Sequence, residues 1–275
     1  MQSEAHPTVP EFDRDVAVTA LGAGRYAAAA PVSWCNIADR AQGGFVAAQI
    51  LLAMAAEVGD PDRHVRAITA QYLRPTPAGD YTIETRVERR GRTMTNVTGR
   101  IVCDGATTAL AMAVFAVERD GPDLDELPLP DVAGPTPSRV MEAEVPPFAY
   151  PFVERTVVQQ REGGLPFSGS PGPMRTGGWL GFADPRPIDP VGLLVLCDAT
   201  IMPWWVRLPE PVPTATVDYT LHFRSDLPRS YPHELVYGEF TTRLARGGFL
   251  DWDGVVWGPD GTVLCLARQQ LVTTG

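Results

Sequence analysis

Apolar positions along the chain follow two periods, and the order in which the periods occur repeats. Residues 43–58, GGFVAAQILLAMAAEV, are apolar nearly all round and rich in Ala, Leu and Met, which predicts a buried helix whose mid-helix polar member is Gln49. Before it, residues 12–21 and 24–34 read as two strands about a GAG turn at 22–24. After it come strand-length runs, AITAQYLRP, YTIETRVER, TMTNVTGRIVCDG and TTALAMAVFAVER, broken by PTPAGD, RGR and DG turns. Residues 121–151 are rich in Pro, Asp, Glu and Leu without periodicity and read as a linker. Strand patterns resume at 153–160 and 178–183, and a second apolar helix is predicted at 191–205, ending or kinking at Pro203. ATVDYTLHFR, HELVYGEFTTRL, GFLDWDGVVWG and TVLCLARQQLV then read as strands.

The repetition has a register. Arg90-Gly91 matches Arg246-Gly247, and Asp104-Gly105 matches Asp260-Gly261, both 156 positions on (246 − 90 and 260 − 104). The chain therefore reads as a tandem β-β-helix-β-β-β-β unit: an N-terminal domain at 12–120, a linker at 121–151 and a C-terminal domain at 152–275. Each half leaves sheet edges and a face exposed, so the halves are expected to pair within one chain and the chains to form a homo-oligomer.

One residue breaks the apolar pattern. Asp198 lies in VGLLVLCDATIMPWWV at 191–206, sharing its polarity only with Thr200. A buried ionised carboxylate costs several kcal/mol unless it is hydrogen-bonded or paired, so this Asp is either satisfied by the fold or kept for chemistry. The glycines at the helix starts, Gly43-Gly44 and Gly192, let backbone approach another group closely and offer unpaired N–H groups to a developing negative charge, although a plain tight turn explains them as well.

Composition narrows the chemistry. The 275 residues are 44% hydrophobic, enough for a real core, and carry a net charge of −10, which disfavours nonspecific nucleic-acid binding. No apolar run is long enough to span a bilayer and the first 16 residues lack a secretory pattern, so a cytoplasmic protein without membrane insertion is expected. Cys35, Cys103, Cys197 and Cys265 form no C-x-x-C pair, and His6, His64, His222 and His233 are scattered; no metal site and no cofactor are expected. SGS at 168–170 lies among prolines and glycines and makes no nucleophile elbow. Arg86, Arg89, Arg90 and Arg92 could meet a nucleotide phosphate, but a solvated hairpin accounts for them more simply.

The helix start QGGFVAAQILLAMA, the strand ending in LRP at 73–75, the strand ATVD at 215–218 and the glutamine of the final strand together resemble the TesB-type double-hotdog acyl-CoA thioesterases. The resemblance covers most of residues 12–275 and implies an α+β fold of two tandem hotdog domains, each an antiparallel sheet wrapped around one buried helix. It implies hydrolysis of acyl-CoA to free fatty acid and CoA by an activated water held by an Asp, a Thr and a Gln, which fall on Asp198, Thr216 and Gln269. Asp198 would accept the water's proton, Thr216 and Gln269 would fix its remaining hydrogen bonds, and the oxyanion donors would come from Gly43, Gly44 or Gly192. The sequence departs in QGG where the family usually has FGG, and in CDAT where its helix has S-D, an apolar residue and Asn. In the repeat register Gln269 corresponds to Ala113 and Asp198 to a position near Gln49, so the second half is expected to carry the chemistry. Two alternatives stand beside hydrolysis: a noncatalytic acyl-thioester binding protein, and a hotdog enoyl-CoA hydratase, which would need a His where Pro203 lies.

Overall fold

The computed structural model of the chain describes residues 9–36, 38–138, 150–224 and 233–274; His6 and residues 139–149 of the expected linker lie outside these. The first half runs α1 (Glu11–Asp15), β1 (Thr19–Gly22), β2 (Arg25–Ala30), α2 (Gly43–Val58), β3 (His64–Tyr72), β4 (Gly79–Arg90), β5 (Met94–Cys103) and β6 (Ala106–Ala116). The second runs β7 (Thr156–Glu162), β8 (Arg175–Phe182), α3 (Pro190–Asp198), β9 (Thr214–Phe223), β10 (Leu235–Thr241), a two-residue β11 (Ala245–Arg246), β12 (Phe249–Trp257) and β13 (Val263–Thr273).

All strands join one antiparallel sheet in the order β1-β2-β4-β5-β6-β3-β9-β13-β12-β10-β8-β7, with β11 paired to β12. The halves meet where equivalent strands pair, β3 on β9, with Thr69 opposite Thr220 and their hydroxyls 2.9 Å apart. Both halves also carry the same irregularity. Along β9 the pairing with β13 passes from Asp218 to Thr216, leaving Val217 as an extra residue, and along β3 the pairing with β6 passes from Val65 to Ala67, leaving Arg66. Such a bulge transfers the next side chain to the opposite face. Alternation from the buried Tyr219, Leu221 and Phe223 would send Val217 inward; the bulge sends Thr216 inward instead.

The two long helices lie side by side in the wrap of the sheet. A fully apolar helix cannot present any face to water, and α2 buries almost every residue from Gly44 to Met54, while α3 buries Gly192 to Asp198. Gly44 sets how closely they approach, because a Cβ there would stand 2.3 Å from the Leu194 carbonyl oxygen and 2.9 Å from Cβ of Asp198. At the other end of α3, Asp189 caps the helix by accepting from the Gly192 N–H at 2.7 Å, with Pro190 at the first position, where its missing donor does no harm.

Two sequence expectations are corrected. Residues 12–21 are not one strand: a helical turn spans Glu11–Asp15 before β1, since this spacing puts Phe12 and Val16 on one side. The Phe12 ring stacks on Phe182 at 4.5 Å, and the flanking acids reach Arg186 from Asp13 (2.9 Å) and the Trp34 indole from Asp15 (3.0 Å). The second helix stops at Asp198 and not at Pro203; Pro203 forces Met202 into an extended conformation, and a short 3-10 turn, Pro203–Val206, follows. The described part of the expected linker, 121–138, packs against the second half. It lies on the outer side of the second half, where Trp257 and Trp179 donate indole N–H bonds to the carbonyls of Leu127 (2.7 Å) and Ala133 (2.9 Å), and Leu129 and Val132 pack on the same rings.

Candidate active site

Asp198 is the last residue of α3, and its carboxylate faces the first turn of α2. The Gly44 N–H donates to Oδ2 at 2.8 Å, and Gln269 Nε2 donates to Oδ1 at 2.7 Å. The second hydrogen of the same amide goes to Thr216 Oγ1 at 3.0 Å. Asp198, Thr216 and Gln269, on α3, β9 and β13, are thus one hydrogen-bonded chain, although 71 positions separate Asp198 from Gln269.

Burial raises the Asp198 carboxyl above its ordinary value, and the bonds from Gly44 and Gln269 pull it partway back. Tyr72 and Tyr219 stand beside it with phenols pushed well above their usual range, chiefly by burial, with the Asp198 charge contributing to each. Their hydroxyls donate to helix carbonyls, Tyr72 to Gly43 at 2.7 Å and Tyr219 to Leu194 at 2.9 Å, tying both helices to the strands beneath.

The glycine candidates separate. Gly43 and Gly44 lie against Asp198, and a Cβ on Gly43 would be 3.2 Å from Oδ2. Gly192 is excluded as an oxyanion donor: its N–H is taken by the Asp189 cap, and it lies about 9 Å up the axis of α3 from Asp198 at 1.5 Å per residue. The Gly44 N–H is given to Asp198 and the Val46 N–H to the Gln42 carbonyl, which leaves the Gly43 and Phe45 N–H groups without an acceptor among the described residues; of these, Gly43 is the glycine that lies against the Asp198 carboxylate. Gln42, the departure in QGG, is buried and donates to the Val195 carbonyl at 3.2 Å.

In the first half, Gln49 is satisfied elsewhere. It is fully buried, donates to the Ala29 carbonyl at 2.9 Å and accepts from the Tyr81 hydroxyl, between β2 and β4. The pairing registers place Ala113 opposite Val97 as Gln269 is opposite Trp252, and Val65 opposite Phe115 as Thr216 is opposite Leu271. The first half holds Val65, Val97 and Ala113 where the second holds Thr216, Trp252 and Gln269. Trp252 escapes the sequence reading because L-D-W-D-G alternation marks it only as an inward-facing core residue.

All four cysteines are free and buried, and Cys197 and Cys265 have their sulfurs 4.0 Å apart. Ser168 lies away from this chain of residues, its hydroxyl donating to the Val206 carbonyl at 3.3 Å.

Two helix-wrapping units that share one sheet, with a carboxylate at the crossing of their helices, define the tandem hotdog class. Sequence profiles carry the assignment further: the acyl-CoA thioesterase N-terminal domain matches residues 30–116 and the C-terminal domain of the same family matches residues 125–273. The chain belongs to the acyl-CoA thioesterase family and is a thioesterase. No curated protein matches it. Among solved structures, a conserved hotdog-fold protein of unknown function from Alicyclobacillus acidocaldarius is 25% identical with a TM-score of 0.85, the match covering 98% of this chain and 99% of that one. An acyl-CoA thioesterase II from Mycobacterium marinum (19% identity, TM-score 0.75, 96% of each chain) and a TesB protein from Mycobacterium avium subspecies paratuberculosis (17%, 0.74, 96% and 98%) share the fold.

Proposed function

We propose that the chain hydrolyses acyl-CoA thioesters with a water activated by Asp198. The observation that carries this reading is the unbroken chain Gly44 to Asp198 to Gln269 to Thr216, which holds an acid of raised proton affinity at a helix start. A water beside Asp198 would give its proton to the carboxylate as its oxygen attacks the thioester carbonyl. Both hydrogens of the Gln269 amide are already engaged, so Gln269 orients its two neighbours and is not itself the donor to the water. The Thr216 hydroxyl, accepting from Gln269, keeps its own hydrogen for that task. The tetrahedral oxyanion would take the Gly43 N–H, assisted by the positive end of α2. Collapse expels the CoA thiolate, which is protonated to the free thiol, and leaves the carboxylic acid.

The fold supplies no helix among the described residues long and apolar enough to cross a membrane, which fits a reading in which the enzyme meets its CoA ester in the cytoplasm. The test is to incubate purified protein with acyl-CoAs of graded chain length and follow free thiol. Release with none of them, in the presence of measurable acyl-CoA binding, would favour a noncatalytic binder.

A further inference from the structure

We propose that Trp252 is a positioning residue for the hydrolysis, its indole N–H fixing which end of the Gln269 amide faces Asp198. The inference rests on the reading of Asp198, Thr216 and Gln269 as the hydrolytic site. An amide is nearly symmetric in shape, and the flipped orientation would set Oε1 against Asp198 Oδ1, acceptor against acceptor. Two neighbours cannot decide the orientation alone, since a hydroxyl such as that of Thr216 donates or accepts and a protonated carboxyl does the same. An indole N–H can only donate. Trp252 Nε1 lies 2.6 Å from Gln269 Oε1, which commits Nε2 to Asp198 and Thr216.

The ring that carries this donor is itself held. Trp252 is directly opposite Gln269 in the β12–β13 pairing and is almost fully buried. The Phe240 ring meets it edge-on at 5.1 Å and Tyr219 at 6.2 Å. Gly254 makes this packing possible, because a Cβ there would come within 2.5 Å of Phe240 and 3.3 Å of Trp252. The equivalent pair of the first half, Val97 and Ala113, has neither the amide nor the indole, so donor and amide occur together.

The test is Trp252→Phe, which keeps a ring and removes the N–H. Loss of the fixed orientation should lower kcat about tenfold, with KM changed little. It should also move the acidic limb of the kcat–pH profile upward, because an amide oxygen facing Asp198 disfavours the ionised base. The titratable groups around Asp198 are Tyr72 on β3, Tyr219 on β9, Cys265 on β13 and Cys197 on α3; α2 brings only backbone. Tyr72, Tyr219 and Cys265 are held well above their ordinary values, so they do not supply that limb. In a Gln269→Ala background, Trp252→Phe should cause no further loss of kcat. An unshifted acidic limb, or a loss that adds in full to that of Gln269→Ala, would overturn the role of Trp252 while Asp198→Asn remains inactive. Full turnover in both Asp198→Asn and Gln269→Ala would instead sink the site reading itself. Should Trp252→Phe fail to fold, nitrogen-15 spectra of the unaltered protein decide: Gln269 should give one protected pair of side-chain N–H signals, and exchange between two orientations would refute the proposal.

Discussion

The Gly44 N–H and the Asp198 carboxylate, 154 positions apart in the chain, share a hydrogen bond of 2.8 Å. The first half thus provides a donor to the acid of the second, and the contact exists only because residue 44 has no side chain. Gly44→Ala should force α2 and α3 apart, costing on the order of 1–3 kcal/mol of stability. Turnover should fall by about 100-fold, the scale expected of a misplacement near 1 Å. Thermal melting and thiol-release kinetics check both; a variant as active and as stable as the parent would show that the helices do not meet as described.

Asp198→Asn replaces the proton acceptor by an amide of nearly the same shape, and kcat should fall by at least about 100-fold with acyl-CoA binding kept. The activity of the unaltered enzyme should rise with pH along an acidic limb displaced upward from the ordinary Asp value, because burial raises this group. The sign for stability is opposite to that of a salt-bridged Asp. A carboxyl raised by folding stabilises most below its unfolded value and loses that contribution as pH rises through its folded value. The unaltered protein should therefore lose stability relative to Asp198→Asn as pH increases across that window. Parallel melting curves from about pH 4 to about pH 8 would contradict the raised carboxyl.

The halves should respond unequally to exchange of their equivalent residues. Gln269→Ala should abolish most turnover, and because Gln269 is fully buried it also leaves the Trp252 N–H without an acceptor, at about 1–3 kcal/mol. Ala113→Gln overpacks a buried strand position and should cost stability while leaving kcat per folded molecule near that of the parent. Activity measured well below each melting temperature separates the effects. An inactive but folded Ala113→Gln would mean that the first half contributes chemistry.

A homo-oligomer is expected from the outer face of the sheet, where Leu110 and Met112 of β6 are 38% and 57% exposed side by side on one strand. Light scattering at micromolar concentration should return a mass above one chain, and Met112→Glu should lower it. A monomeric mass for the unaltered protein would rule this out.

The periodicity of the residues determined the repeated β-β-helix-β-β-β-β order, because burial of a helix on all sides and alternation in a strand are written locally in the kinds of side chain used. The oddity of Asp198 in an apolar run was equally legible, since no neighbour in sequence could satisfy it. Thr216 and Gln269 could be named beside it only through the family resemblance, and the contacts that join these residues were not legible. Gly44 reaches Asp198 through the crossing of two helices, Thr216 turns inward through the extra residue at Val217, and Trp252 meets Gln269 across two strands. Each of these depends on register or on the approach of distant segments, which alternation alone leaves open by one residue, and one residue in a strand is the difference between facing the core and facing water. The same limit explains why Gly192, a glycine at a helix start like Gly43 and Gly44, reads identically in sequence yet lies at the wrong end of α3, where its N–H belongs to Asp189.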